Sequence, residues 1–87
     1  MFVVPDALQL LGRRGCHLCE VVRPTLAEFC AQMGVPLVEL DVDEDPGLWS
    51  TYSERVPVVL WRGMVIAEGR FDPRAIAESV AHGRHAR

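Results

Sequence analysis

Two cysteines set three residues apart, in Gly15-Cys16-His17-Leu18-Cys19, stand where a short apolar run gives way to a helical pattern. A C-x-x-C at a strand-to-helix junction puts its first sulfur at a helix N-terminus. Unpaired amides and the helix dipole there favour a thiolate over a thiol. A thiolate so placed is a nucleophile toward disulfides. The second cysteine, one turn into the helix, is near enough to close a ring with the first and expel a product.

The remainder of the chain supplies the elements that such a junction needs. Ala7 to Leu11, followed by Gly12, reads as a first strand. A first helix runs from Cys16 to about Met33, with Leu18, Val22, Leu26, Phe29, Cys30 and Met33 at helical spacing on one apolar face. Pro24 inside it removes a backbone hydrogen bond and predicts a kink. Gly34-Val35-Pro36 ends it. Leu37 to Val42 is a second strand. Asp45-Pro46 is an N-cap with proline at the first helical position, opening a short second helix to about Ser53 with Leu48, Trp49 and Tyr52 on its apolar side.

Val58 to Trp61 is a continuous apolar run, the mark of a central strand buried on both faces. Arg62-Gly63 is a tight turn and Met64 to Ala67 the antiparallel partner. Asp72-Pro73 repeats the cap-and-proline signal before a third helix with Ile76 and Val80 inward, and the polar stretch 82–87 is expected to fray. The order is β-α-β-α-β-β-α. The first β-α-β unit places its strands in parallel with a right-handed crossover, and the hairpin adds two antiparallel strands. The expectation is one α/β domain over residues 1–87, a mixed four-stranded sheet with helices on both faces.

Composition removes several function classes. A net charge of −3 and the lack of a basic stripe with interleaved aromatics argue against nucleic-acid binding. No apolar run approaches the about 20 residues of a membrane span, and Met1 to Val4 is too short for a signal h-region. The expected location is the cytoplasm, with no membrane partner. Three cysteines do not make an even disulfide framework. In a reducing compartment a C-x-x-C serves catalysis or metal binding more often than architecture. All nine basic residues are arginine, which reads as a compositional bias of the source.

The element order with a C-x-x-C at the start of helix one is similar to the thioredoxin fold, and the resemblance covers nearly the whole chain. Cys16 and Cys19 match the redox pair in type, spacing and position. Pro24 matches the proline within the active-site helix, Val56-Pro57 the cis-proline opposite the cysteines, and Gly63 the hairpin turn. Leu10 stands where thioredoxins carry a buried aspartate, and the strand lengths look more like a glutaredoxin. Cys-His-Leu-Cys, Arg-Val-Pro and Gly-Arg-Phe-Asp together resemble the small bacterial glutaredoxin-like proteins. Two departures stand out. Ala67-Glu68 occupy the place of the glutaredoxin Gly-Gly pair, and His17-Leu18 replace the usual dipeptide between the cysteines.

The resemblance implies a thiol–disulfide oxidoreductase acting on protein or small-molecule disulfides, with Cys16 as nucleophile and Cys19 as resolving thiol. Arg13, where many glutaredoxins carry a glutathione-binding lysine, would anchor a carboxylate through its guanidinium fork; the alternative is a solvated turn with Arg14. His17 would add positive charge beside Cys16, since histidines titrate near neutrality; the alternative is an exposed loop residue. Val56 and Pro57 would present backbone groups to an extended substrate segment. Cys30 reads as a core residue, Trp61 as core, and Trp49 and Tyr52 as core or rim.

No tightly bound cofactor is expected. Glutathione or a thioredoxin-reductase-type flavoenzyme is the expected reductant, and the missing Gly-Gly pair favours weak glutathione use. Two other readings remain open. One is a carrier of an iron–sulfur or other metal cluster, with Cys16 and glutathione as ligands; His17, Cys30, His82 and His85 are the only other soft ligands, and a zinc site needs four. The other is a redox-inert module that holds a peptide at Val56-Pro57.

Overall fold

A computed structural model describes residues 6–85. Its elements are β1 (Leu8–Gly12), α1 (His17–Met33), β2 (Leu37–Asp41), a 3-10 turn (Val42–Glu44), α2 (Pro46–Tyr52), β3 (Val58–Trp61), β4 (Met64–Glu68) and α3 (Arg74–His85). The sheet order is β2-β1-β3-β4, with β1 parallel to β2 and antiparallel to β3, and β3 antiparallel to β4. This is the mixed four-stranded α/β arrangement expected from the element order.

Strand alternation divides the core in two. On one face Leu8, Leu10, Val59 and Trp61 pack with Val22, Leu26 and Cys30 of α1 and with Ile76 and Val80 of α3. Each large apolar side chain buried this way contributes about 1.5–3 kcal/mol. On the other face Leu11, Val58 and Leu60 pack with Val42, Leu48 and Tyr52. All four β3 residues are buried, as a strand sandwiched between two layers requires.

The local signals act as their chemistry dictates. Asp45 Oδ1 accepts from the N–H groups of Gly47 and Leu48 at 2.8 and 3.1 Å, with Pro46 at the start of α2. Asp72 Oδ1 accepts from Arg74 N–H at 3.0 Å ahead of α3. Arg62 and Gly63 both have positive φ (53° and 82°), the backbone that a two-residue hairpin needs to match strand twist.

Several expectations change. The buried stripe of α1 is Cys19, Val22, Leu26 and Cys30, with Leu18 and Phe29 only half-buried. The stripe follows the core-facing phase of the helix, which admits Cys19 in place of its neighbour. Trp49 is 54% exposed rather than core or rim. Helix α2 is one narrow-faced segment of seven residues; Leu48 and Tyr52 fill its inner side and Trp49 points about 100° away from Leu48. The second strand stops at Asp41, whose carboxylate accepts from Asp43 N–H and turns the chain. Helix α3 runs to His85, into the polar stretch 82–87. One Gly83 among helix-tolerant residues costs only about 1 kcal/mol. Residues 86 and 87 lie outside the described region.

Candidate active site: the Cys16–Cys19 pair

The register gathers one end of the sheet into a site. Gly12 at the end of β1 lies opposite Asp41 at the end of β2, and Leu11 lies opposite Val58 at the start of β3. Val58 in turn pairs with Glu68 at the end of β4. The loops 13–16, 42–45, 53–57 and 69–73 therefore leave the sheet from the same end.

Cys16 is the N-cap of α1, and its sulfur is bonded to that of Cys19, with the two Cα atoms 5.2 Å apart. Cys16 Sγ also accepts from the Cys19 N–H at 3.1 Å, and its carbonyl accepts from Glu20 N–H at 3.1 Å. The two sulfurs are unequal. Cys19 is 1% exposed while Cys16 is half-buried, so Cys16 is the member of the pair that faces solvent. Gly12 makes the burial of Cys19 possible. A Cβ at Gly12 would stand 2.9 Å from Cys19 Sγ, inside any real carbon–sulfur contact.

Arg13 is not poised as an open anchor. Its guanidinium donates to both carboxylate oxygens of Asp43 (2.9 and 3.2 Å) and to the hydroxyl and carbonyl of Ser53 (2.8 Å each). The Arg13 carbonyl meanwhile accepts from Cys16 N–H at 3.3 Å. Arg13 thus ties the loop before Cys16 to the 3-10 turn and to the end of α2. The same fork holds the Asp43 carboxyl below its ordinary pKa and raises that of the guanidinium. Sequence reasoning missed Asp43 and Ser53, which are 30 and 40 residues away from Arg13 and joined to it only by folding.

Arg14 and His17 are exposed beside the pair. Arg14, Glu20, Arg23 and Glu39 line a cleft of about 330 Å³ that reaches Gly12 and Cys19, with Arg23 Nε paired to Glu39 at 2.6 Å. Across the site the Val56–Pro57 peptide is cis, Pro57 is buried and Val56 half-buried. Pro57 carbonyl accepts from Gly69 N–H at 2.8 Å. Arg55 pairs bidentately with Glu68 (2.6 and 3.1 Å) and lies 5.0 Å over the Tyr52 ring. That pair lowers the pKa of the Glu68 carboxyl. Among the described residues no three His, Cys, Asp or Glu side chains cluster closely enough to hold a metal ion. No described helix is long and apolar enough to cross a membrane.

A disulfide at the head of a helix, opposite a cis-proline on a β-α-β-α-β-β-α frame, is an arrangement shared with known proteins. The profile of the Glutaredoxin-like domain (DUF836) matches residues 7–81. The chain belongs to this glutaredoxin-like family. The uncharacterised protein Rv0508 of Mycobacterium tuberculosis is 32% identical to this glutaredoxin-like domain over 79 residues, 85% of this chain and 81% of that one. The X-ray structure of target protein XcR50 from X. campestris matches with a TM-score of 0.71 and 30% identity, covering 87% of this chain and 97% of that one. Thioredoxin 1 of Thermosipho africanus matches with a TM-score of 0.70 at 16% identity, covering 90% and 93%, and so establishes the thioredoxin-like fold. The family, the fold and the cysteine pair together point to a redox role.

Proposed function

We propose that this glutaredoxin-like domain is a thiol–disulfide oxidoreductase that reduces protein or small-molecule disulfides through Cys16 and Cys19. The observation that carries the reading is the inequality of the bonded pair, one sulfur accessible at a helix N-cap and the other buried behind it. In the dithiol form the Cys19 N–H and the open end of α1 favour a Cys16 thiolate. That thiolate attacks one sulfur of the substrate disulfide. The substrate S–S bond breaks, the departing thiolate takes a proton, and a mixed disulfide remains on Cys16. Cys19 then loses its proton and attacks Cys16 Sγ. The mixed disulfide breaks, the second substrate thiolate leaves and is protonated, and the Cys16–Cys19 disulfide forms. Two electrons have passed to the substrate.

A reductant restores the dithiol. Two glutathione molecules, oxidised to their disulfide, or a thioredoxin-reductase-type flavoenzyme would supply the electrons, and the cytoplasm is the proposed compartment because it holds both. Val56, at the same end of the sheet, is proposed to pair its backbone with an extended substrate segment. His17 is proposed to add charge beside the Cys16 sulfur. Arg13 is proposed to act through the loop it clamps, because most of its donors are already engaged.

The test is disulfide reductase activity of the wild type and Cys16→Ser with glutathione and with a flavoenzyme reductant in turn. The expected result is loss of turnover in the variant and a Cys16 adduct or Cys16–Cys19 disulfide in intact-mass spectra of the wild type. Full activity in Cys16→Ser would overturn the mechanism. Visible absorption of anaerobically purified protein, carried on Cys16, would replace it with the cluster-carrier reading.

A further inference from the structure

Two guanidiniums stand at the cysteine end of the sheet already closed by carboxylates of the same chain. Arg13 lies in the turn before Cys16, and its carbonyl accepts from Cys16 N–H. A guanidinium has five N–H donors; Arg13 uses four of them, two on Asp43 and two on Ser53. Arg55 lies before the cis Val56–Pro57 peptide. Its fork holds Glu68, and its guanidinium carbon sits 5.0 Å from the centre of the Tyr52 ring. The bidentate fork is the geometry by which arginine recognises a carboxylate. Both forks are filled, so a carboxylate on an incoming disulfide must displace one of this chain's own to be held there.

The rest of that end is acidic. In the loops 13–16, 42–45, 53–57 and 69–73 the cations are Arg13, Arg14, Arg55 and Arg70, against Asp43, Glu44, Asp45, Glu54 and Asp72. Asp41 and Glu68 stand at the strand ends that lead into these loops. Arg14, exposed beside Cys16, lines a cleft shared with Glu20, Glu39, Asp41 and Glu44. His17 adds at most one positive charge near neutrality, which leaves carboxylates in the majority. A Cys16 thiolate adds one more negative charge. A surface of one sign attracts partners of the other and repels its own.

We propose that the Cys16–Cys19 pair selects its substrates by charge: it takes disulfides in neutral or basic surroundings, and Asp43 and Glu68 are the residues that turn anionic disulfides away. They do so by occupying Arg13 and Arg55 and by adding negative charge at the same end of the sheet. A neutral or basic protein segment meets no such barrier. Glutathione disulfide, a net anion, belongs to the disfavoured class. The inference rests on the oxidoreductase reading and names the substrate class of that same site.

The experiment is single-turnover oxidation of the fully reduced chain, at neutral pH and low ionic strength, by three small disulfides. They are cystamine (a dication), 2-hydroxyethyl disulfide (neutral) and 3,3′-dithiodipropionate (a dianion). Each rate constant is divided by that of dithiothreitol with the same disulfide, which removes the intrinsic reactivity of the probe. The normalised rate with cystamine is expected to exceed that with dithiodipropionate about tenfold or more, with the neutral probe between them. The gap should narrow in about 0.5 M salt, where charges are screened over a few ångströms. Asp43→Asn and Glu68→Gln each remove one charge and weaken one fork. Each is expected to raise the dithiodipropionate-to-cystamine ratio about threefold or more. A merely structural role would move both probes together and leave the ratio alone. Equal normalised rates for the three probes, a preference for the dianion, or an unmoved ratio in both variants would overturn the charge selection and leave the oxidoreductase reading standing. Failure of the reduced chain to reduce any of the three would overturn that reading and the selectivity with it.

Discussion

Helix α1 carries cysteines toward both ends, and the ends treat the same side chain in opposite ways. At the N-terminus Cys16 is half-buried, caps the helix and receives the Cys19 N–H. About four turns further on, Cys30 is 3% exposed among Val22, Leu26, Val59 and Ile76, and burial pushes its thiol pKa up. One end supplies donors that stabilise a thiolate. The other supplies only apolar contacts, which disfavour charge. On the proposed mechanism, reactivity in this chain follows position along a helix rather than residue type.

The sharpest break of that comparison is alkylation of the fully reduced protein at neutral pH, followed by peptide mapping. Cys16 is expected to react about a hundredfold faster than Cys30; equal rates would erase the distinction between the two ends. Gly12→Ala comes next. Its new methyl group meets Cys19 Sγ at 2.9 Å, and overpacking of this kind costs about 1–3 kcal/mol. A urea midpoint of the oxidised protein that does not move would show that the wall behind Cys19 yields.

Cys30→Ser tests the other end. A hydroxyl without a partner in the apolar cluster costs about 1–3 kcal/mol, and reductase activity per folded molecule should be unchanged. A loss of activity without loss of stability would give Cys30 a part in the chemistry. The smallest effect concerns the clamp behind Cys16. The Asp43 carboxyl has a lower pKa folded than unfolded, so its stabilisation is present above the ordinary aspartate range of about 4 and is lost as pH falls through the folded value. Asp43→Asn should therefore lower the denaturation midpoint slightly at pH 7, and the gap from wild type should close in acid. A gap that is constant with pH would assign the effect to something other than the Arg13 pairing.

Much of this was legible in the chain. The placed C-x-x-C, the two Asp-Pro helix starts and the unbroken apolar run of β3 are local signals, and each describes a neighbourhood of a few residues. Trp49 was less legible, because a seven-residue helix leaves its phase to be set by which two side chains the sheet accepts. For Arg13 the resemblance offered a carboxylate anchor and the residues alone a solvated turn, and neither shows Asp43 and Ser53 arriving from other segments. Gln9 lies within the run read as the first strand, and its burial, at 2% exposed, shows only in the fold.

The sequence by itself determined the order of elements, the cysteine pair and the helix end on which it stands, because capping, periodicity and turn chemistry act within a few residues. The tertiary structure alone decided which sulfur is reachable, what engages Arg13 and what surrounds Gln9. Those depend on contacts between segments tens of residues apart, whose geometry exists only once the sheet has brought them to the same end or the same face.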